Sequence, residues 1–226
     1  MLGAREISDR LEQVRSRIAD AVRQAGRESG SVRLVLASKT QPPAAVAAAF
    51  AAGTRDFGEN YVQEAVSKRG ALGELGIRWH LIGHLQTNKA RAAVETFDLI
   101  QTLDSQRLAA ALFRLRRSPP MPVLVEINLA GEASKSGLEP GHAEALINSV
   151  RDHVDVQGLM AIPPVTAVSE SAQSFFAQLR ELRDRLAAAT GLALPELSMG
   201  MTDDFEAAIQ EGATIVRVGR AVFGER

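Results

Sequence analysis

Short apolar runs alternate along this chain with segments whose apolar residues recur every three or four positions. The first periodic segment carries Ile7, Leu11, Val14, Ile18, Ala21 and Ala25, with Arg10, Arg15, Arg17, Asp20 and Arg23 between them. That spacing predicts an amphipathic helix ending near Gly26 to Gly30, its arginines on a solvated face. Eight apolar runs follow, at 32–39 with Lys39 at its end, 54–60, 78–84, 97–103, 122–129, 156–162, 194–199 and 214–219. They are too short for helices and are bounded by Gly and Pro, so they read as strands. Helical patterns fall between them at 44–52, 61–75, 87–95, 105–117, 139–153, 168–189 and 203–211. Strands alternating with helices argue for βαβ units and a parallel sheet. The expectation is an α/β fold, a single (β/α)8 TIM barrel over residues 1–226 with an extra N-terminal helix. A doubly wound open sheet is the alternative, weakened because no glycine-rich dinucleotide turn follows the first strand.

Composition narrows the function classes. The chain has 226 residues, 46% of them hydrophobic, which is ample for a core. A formal net charge of -1 gives no electrostatic case for nucleic acid or an anionic membrane. With no cysteine, disulfide and thiolate chemistry are excluded. No apolar run reaches bilayer length, and residues 1–6 lack the apolar core of a secretory signal. The expectation is a soluble cytoplasmic protein.

Candidate chemistry gathers where barrels place it, at the C-terminal strand ends. Those ends carry Lys39, Asn60, His84, Asn128, Met160, Ser198 and the 217–220 segment. Lys39 shares parity with Val35 and Ala37, and Arg217 with Ile215 and Gly219, so both should face the mouth. A lysine ending a buried strand either snorkels to the rim or is covalently engaged. The loops after strands 7 and 8 are the usual phosphate cradle of this fold. Here they contain Ser198, Gly200, Gly219 and Arg220. Glycine lets backbone N–H groups approach an anion, and the Ser198 hydroxyl and Arg220 amide add donors. In the structural reading of the same loop, Asp203 caps the last helix and Glu206 completes a capping box. His80 and His84 have no acid at ligand spacing, so a metal site is not expected. Lys135 sits in a polar loop and reads as solvated. An inward lysine facing a phosphate cradle suggests a phosphorylated carbonyl compound, since lysine amines form Schiff bases. Both a sugar phosphate and pyridoxal 5′-phosphate (PLP) fit.

Residues 37–40, 57–64, 79–89, 134–137, 158–160, 197–201 and 216–224 together resemble the pyridoxal phosphate homeostasis family. The likeness runs in order from about residue 7 to 226. Thr202 and Arg220 stand where serine and threonine are common in that family. The resemblance implies a barrel like the N-terminal domain of alanine racemase, usually monomeric, with PLP as an internal aldimine on Lys39. It also implies a non-enzymatic role in PLP homeostasis, with PLP-dependent apo-enzymes as possible recipients. A PLP-dependent racemase of the same barrel class is the enzymatic alternative, and a Schiff-base aldolase a third reading. The chain is expected to carry no second domain after Arg226. The inward Arg217 is the candidate partner of the pyridine nitrogen, against the alternative that it pairs with Glu126 inside the barrel.

Overall fold

The computed structural model describes residues 2–115, 118–132, 136–164 and 169–225. Lys135, Arg117 and Val168, each part of an expected loop or helix end, lie outside them. The first helix, α1, spans Ala4–Gln24 and buries Ile7, Leu11, Val14, Ile18, Ala21 and Val22. Its apolar stripe is the one the three-and-four spacing marks, and it packs on α2 (Pro43–Ala51), α8 (Phe205–Gln210) and α9 (Arg220–Phe223).

Eight parallel strands close into a barrel in sequence order. They are β1 (Arg33–Ala37), β2 (Asp56–Glu59), β3 (Arg78–Leu81), β4 (Leu99–Leu103), β5 (Pro122–Glu126), β6 (Asp155–Met160), β7 (Glu196–Ser198) and β8 (Ile215–Val218). Between them run α3 (Val62–Leu72), α4 (Ala90–Thr96), α5 (Gln106–Phe113), α6 (Ala143–Val150) and α7 (Ser169–Thr190), beside α2 and α8. Closure is made by β1 on β8, with Arg33 opposite Ile215 and Leu36 opposite Val218. The eight-strand expectation therefore holds, and the open-sheet alternative does not.

Strand alternation divides the core in two. Side chains on the outer faces pack under the helices in one large cluster that includes Leu36, Phe57, Leu81 and Val218. Inside the barrel Val35, Leu99, Leu124, Met160 and Ile215 form a small apolar cluster of their own. The observed strands are mostly shorter than the runs that mark them, and two differences bear on the site. β1 stops at Ala37, so Lys39 lies in the turn beyond it rather than on the strand. The last loop also builds a short helix, α9, that the apolar pattern of residues 220–223 is too short to announce.

Candidate functional site

Lys39 is carried by a four-residue turn. The Ser38 carbonyl accepts from the Gln41 N–H at 2.9 Å, and Thr40, in the third position, has φ of +66°. A positive φ there is what a type II turn demands, and a β-branched residue rarely adopts it. Beyond the turn Pro43 opens α2. Lys39 thus stands at the rim of a cavity of about 480 Å³ at the C-terminal end of the barrel. Ala37, Asn60, Ile82 and Ile162 line one side of it, and Met201, Thr202, Asp203, Gly219 and Arg220 the other. The volume is in the range of sites for small cofactors.

The two glycine loops are there for packing reasons as well as access. Gly219 lies where a Cβ would come within 2.9 Å of the Ala37 carbonyl oxygen. Only glycine lets the end of β8 lie that close to the segment leading to Lys39. Gly200 has φ of +91°, and a Cβ on it would meet the Ala208 Cβ at 2.6 Å and the Phe205 Cα at 3.0 Å. Gly200 itself does not line the cavity; it seats α8 so that Met201 to Asp203 form the wall. The expected capping box is replaced by other contacts. Asp204, not Asp203, precedes α8, and its Oδ1 accepts from the Met201 N–H at 2.6 Å. Asp203 instead pairs with the Arg220 guanidinium, and Glu206 with Arg17 of α1 at 2.6 Å. Burial pushes the Asp204 carboxyl up from its ordinary value.

Arg217 faces inward as its parity requires and is 4% exposed. Complete desolvation of the guanidinium pulls its pKa down to about 10, against the pull of Asp204 and Glu126, so it stays charged at neutral pH. Its Nη2 donates to the Ala161 carbonyl at 3.0 Å and its Nη1 to the Ser198 Oγ at 2.6 Å. From Ser198 a chain of hydrogen bonds runs down the barrel. Ser198 Oγ donates to Gln101 Oε1 at 2.6 Å, Gln101 Nε2 meets His80 Nδ1 at 3.0 Å, and His80 Nε2 meets Asp56 Oδ1 at 3.0 Å. Arg78 closes the far end on Asp56 Oδ2 at 2.6 Å. The order of donors fixes the tautomer. Gln101 offers its oxygen to Ser198 and therefore its N–H to His80, so Nδ1 accepts and Nε2 donates to Asp56. Burial would raise Asp56, but the hydrogen bonds from His80 and Arg78, with the Arg78 charge, outweigh it and hold the carboxyl below its ordinary value.

Of the residues singled out in the sequence, Lys39, Asn60, Arg217, Gly219 and Arg220 line one cavity. Ser198 is fully buried beneath Arg217, with its hydroxyl engaged by Arg217 and Gln101. Met160 belongs to the interior apolar cluster. His84 opens onto a neighbouring recess with Ser136, 3.2 Å from Asp104. Asn128 holds its own loop through Glu132, donating to its carbonyl at 2.9 Å. Glu126 accepts from Ser136 at 2.8 Å, and its other oxygen is buried with no hydrogen-bond partner among the described residues. Burial raises its carboxyl. Arg217 acts on Glu126 through its charge, while its guanidinium donates to Ser198 and Ala161. Thr202 is noted in the sequence only as a family exchange, and Gln101 is not singled out there. Thr202 could have been found as the next residue of the cradle loop; Gln101 has the inward parity of Leu99 on β4.

Together these features define a class: a closed (β/α)8 barrel whose mouth gathers one lysine, one buried arginine and two glycine-bearing turns. The alanine racemase N-terminal domain family matches residues 10–226. A pyridoxal phosphate homeostasis protein of Pseudomonas aeruginosa is 46% identical over 224 residues, covering 97% of this chain and 96% of that protein. Among solved structures, an unknown protein from Bifidobacterium adolescentis superposes with a TM-score of 0.91 at 42% identity, covering 97% of this chain and 95% of its own. PipY of Synechococcus elongatus, solved with PLP bound, superposes with a TM-score of 0.84 at 38% identity, covering 96% of this chain and all of its own. The chain belongs to the alanine racemase N-terminal domain family and, within it, to the pyridoxal phosphate homeostasis proteins.

Proposed function

We propose that this protein binds PLP at the barrel mouth and serves PLP homeostasis as a carrier or regulator rather than as an enzyme. The observation that carries the reading is the single cavity in which Lys39 faces the Thr202 and Gly219–Arg220 turns. The name of the Pseudomonas relative and the PLP-bound PipY structure support it. The donor set also fits the group. When bound, PLP supplies an aldehyde that condenses with a primary amine, and a ring that withdraws electrons.

Lys39 is the amine in reach of that aldehyde. Backbone amides and the Thr202 hydroxyl in the 201–202 and 219–220 turns would hold the phosphate, with Arg220, paired to Asp203, beside them. Ser198 and Gly200 act from beneath, one holding Arg217 and the other seating the loop. Arg217 has only donors to offer, and a fixed positive charge disfavours a second one on the ring. PLP catalysts that need a strong electron sink place a carboxylate there. This supports low turnover over the racemase alternative. The same reading takes residues 1–226 as one domain, working as a monomer in the cytoplasm and passing PLP to apo-enzymes. Among the described residues no helix is long and apolar enough to cross a membrane.

Charge-assisted hydrogen bonds contribute about 1.5–3 kcal/mol each. Pyridoxal lacking the phosphate should therefore bind about a hundredfold or more weaker than PLP in a spectral titration. Equal affinities would remove the phosphate site, and many turnovers of L-alanine seen by chiral analysis would favour the racemase.

A further inference from the structure

The turn that carries Lys39 is held from behind by a buried charge cluster. Ser38 alternates with Lys39, so its side chain points to the outer face of the barrel wall. There its Oγ donates to Glu59 Oε1 at 2.6 Å. Lys68, on α3, reaches the same place. Its Nζ donates to the Ser38 carbonyl at 2.6 Å, to Glu59 Oε1 at 2.7 Å and to Glu64 Oε1 at 2.7 Å. Glu64 Oε1 in turn accepts from the Thr40 N–H at 2.5 Å. Both peptide neighbours of Lys39 are thereby tied to one ammonium, directly or through one carboxylate.

Three features set this cluster apart from an ordinary surface ion pair. First, it is buried: the Lys68 side chain is 4% exposed and that of Glu59 0%. All three ammonium donors are used, so Lys68 has no freedom to turn. Second, Glu59 Oε2 is buried with no hydrogen-bond partner among the described residues, and burial pushes its carboxyl up against the pull of Lys68 and Ser38. Third, Thr40 is kept at φ of +66° beside the lysine. A non-glycine residue there costs about 1–3 kcal/mol and persists only where its surroundings over-determine it. A buried ion pair adds little to stability over an apolar replacement, so its retention points to geometry. None of Lys68, Glu59 or Glu64 lines the cavity, and their contacts described above reach Lys39 through its backbone neighbours.

We propose that Lys68, with Glu59 and Glu64, is a positioning residue that fixes the direction of the Lys39 side chain and so sets how long a carbonyl ligand stays attached. The proposal rests on Lys39 being the attachment point. Attachment joins the amine nitrogen to the aldehyde carbon as C=N, and both amine protons leave with the carbonyl oxygen as water; release is the reverse, with nothing oxidised or reduced. Correct placement of the amine raises the chance of re-closure after each hydrolysis.

The test uses Lys68→Met and the neutral pair Lys68→Met/Glu59→Gln, which folds without a lone buried carboxylate. Four readouts are taken: amide exchange at Thr40 in the ligand-free protein, visible circular dichroism of bound PLP, PLP release into excess semicarbazide, and borohydride fixation of PLP. A clamp predicts Thr40 exchange and PLP release each about tenfold faster or more, a weakened dichroic band, and borohydride still fixing PLP on Lys39. A folded neutral-pair variant with wild-type dichroism and release rate would overturn it. Should borohydride fix nothing on Lys39 in the wild type, the functional reading fails instead. Thr40 exchange in the ligand-free protein then decides the clamp alone, and an unchanged rate overturns it.

Discussion

Two polar networks meet at the mouth of this barrel, and they are built differently. The one behind Lys39 lies outside the wall, between β1, β2 and α3, and is made of full charges: Lys68, Glu59 and Glu64 within 2.7 Å contacts. The one beneath Arg217 threads the interior and carries charge only at its ends, Arg217 above and Asp56 with Arg78 below. Between them stand Ser198, Gln101 and His80, neutral groups whose hydrogen bonds run in one direction. Distance explains the difference. Two carboxylates can be brought into contact around one ammonium, where Coulomb attraction offsets part of their desolvation. Charges at opposite ends of a barrel cannot touch, and a relay of dipoles links them without burying further charge. The clamp fixes a backbone turn; the relay fixes one guanidinium.

The two should therefore break differently. Truncating Lys68 to Met leaves Glu59 buried without its partner, and removal of one member of a buried pair costs about 3–5 kcal/mol. Gln101→Leu strands a His80 nitrogen and the Ser198 hydroxyl, neutral groups costing about 1–3 kcal/mol. Urea unfolding of both variants checks the order. A larger loss for Gln101→Leu would invert the comparison.

A smaller effect separates them by pH. Asp56 is held below its ordinary value, so its contribution is complete above the unfolded pKa and is lost as pH falls through the folded one. Glu59 is raised, so the folded state binds its proton more tightly than the unfolded chain. Its contribution is complete below the ordinary carboxylate value and is lost as pH rises through the raised one. Stability measured from acid to neutral pH should show Asp56→Asn flattening the acid limb and Glu59→Gln flattening the limb above it. Parallel curves for both variants and wild type would refute these opposite signs.

Much of this architecture is legible in the chain. Alternation placed all eight strands, and parity alone put Lys39 and Arg217 on inward-facing positions. Local pattern carries that information because a strand's faces are set by its own residues. The networks are a different matter. Ser198 meets Gln101 across 97 residues, and no local period marks that contact. Lys68 reads as one more polar residue of a helix, yet the packing of α3 against the β1–β2 edge buries it under Ser38. Asp203 matched a capping pattern that Arg220 claims in three dimensions.

Lys39 is the residue on which the proposed PLP binding depends. Protein loaded with PLP, reduced with borohydride and digested, should carry the cofactor's mass on the peptide containing Lys39, and Lys39→Ala should lose the visible band of the bound cofactor. PLP fixed on another lysine of the wild type, with that band unchanged in Lys39→Ala, would contradict it.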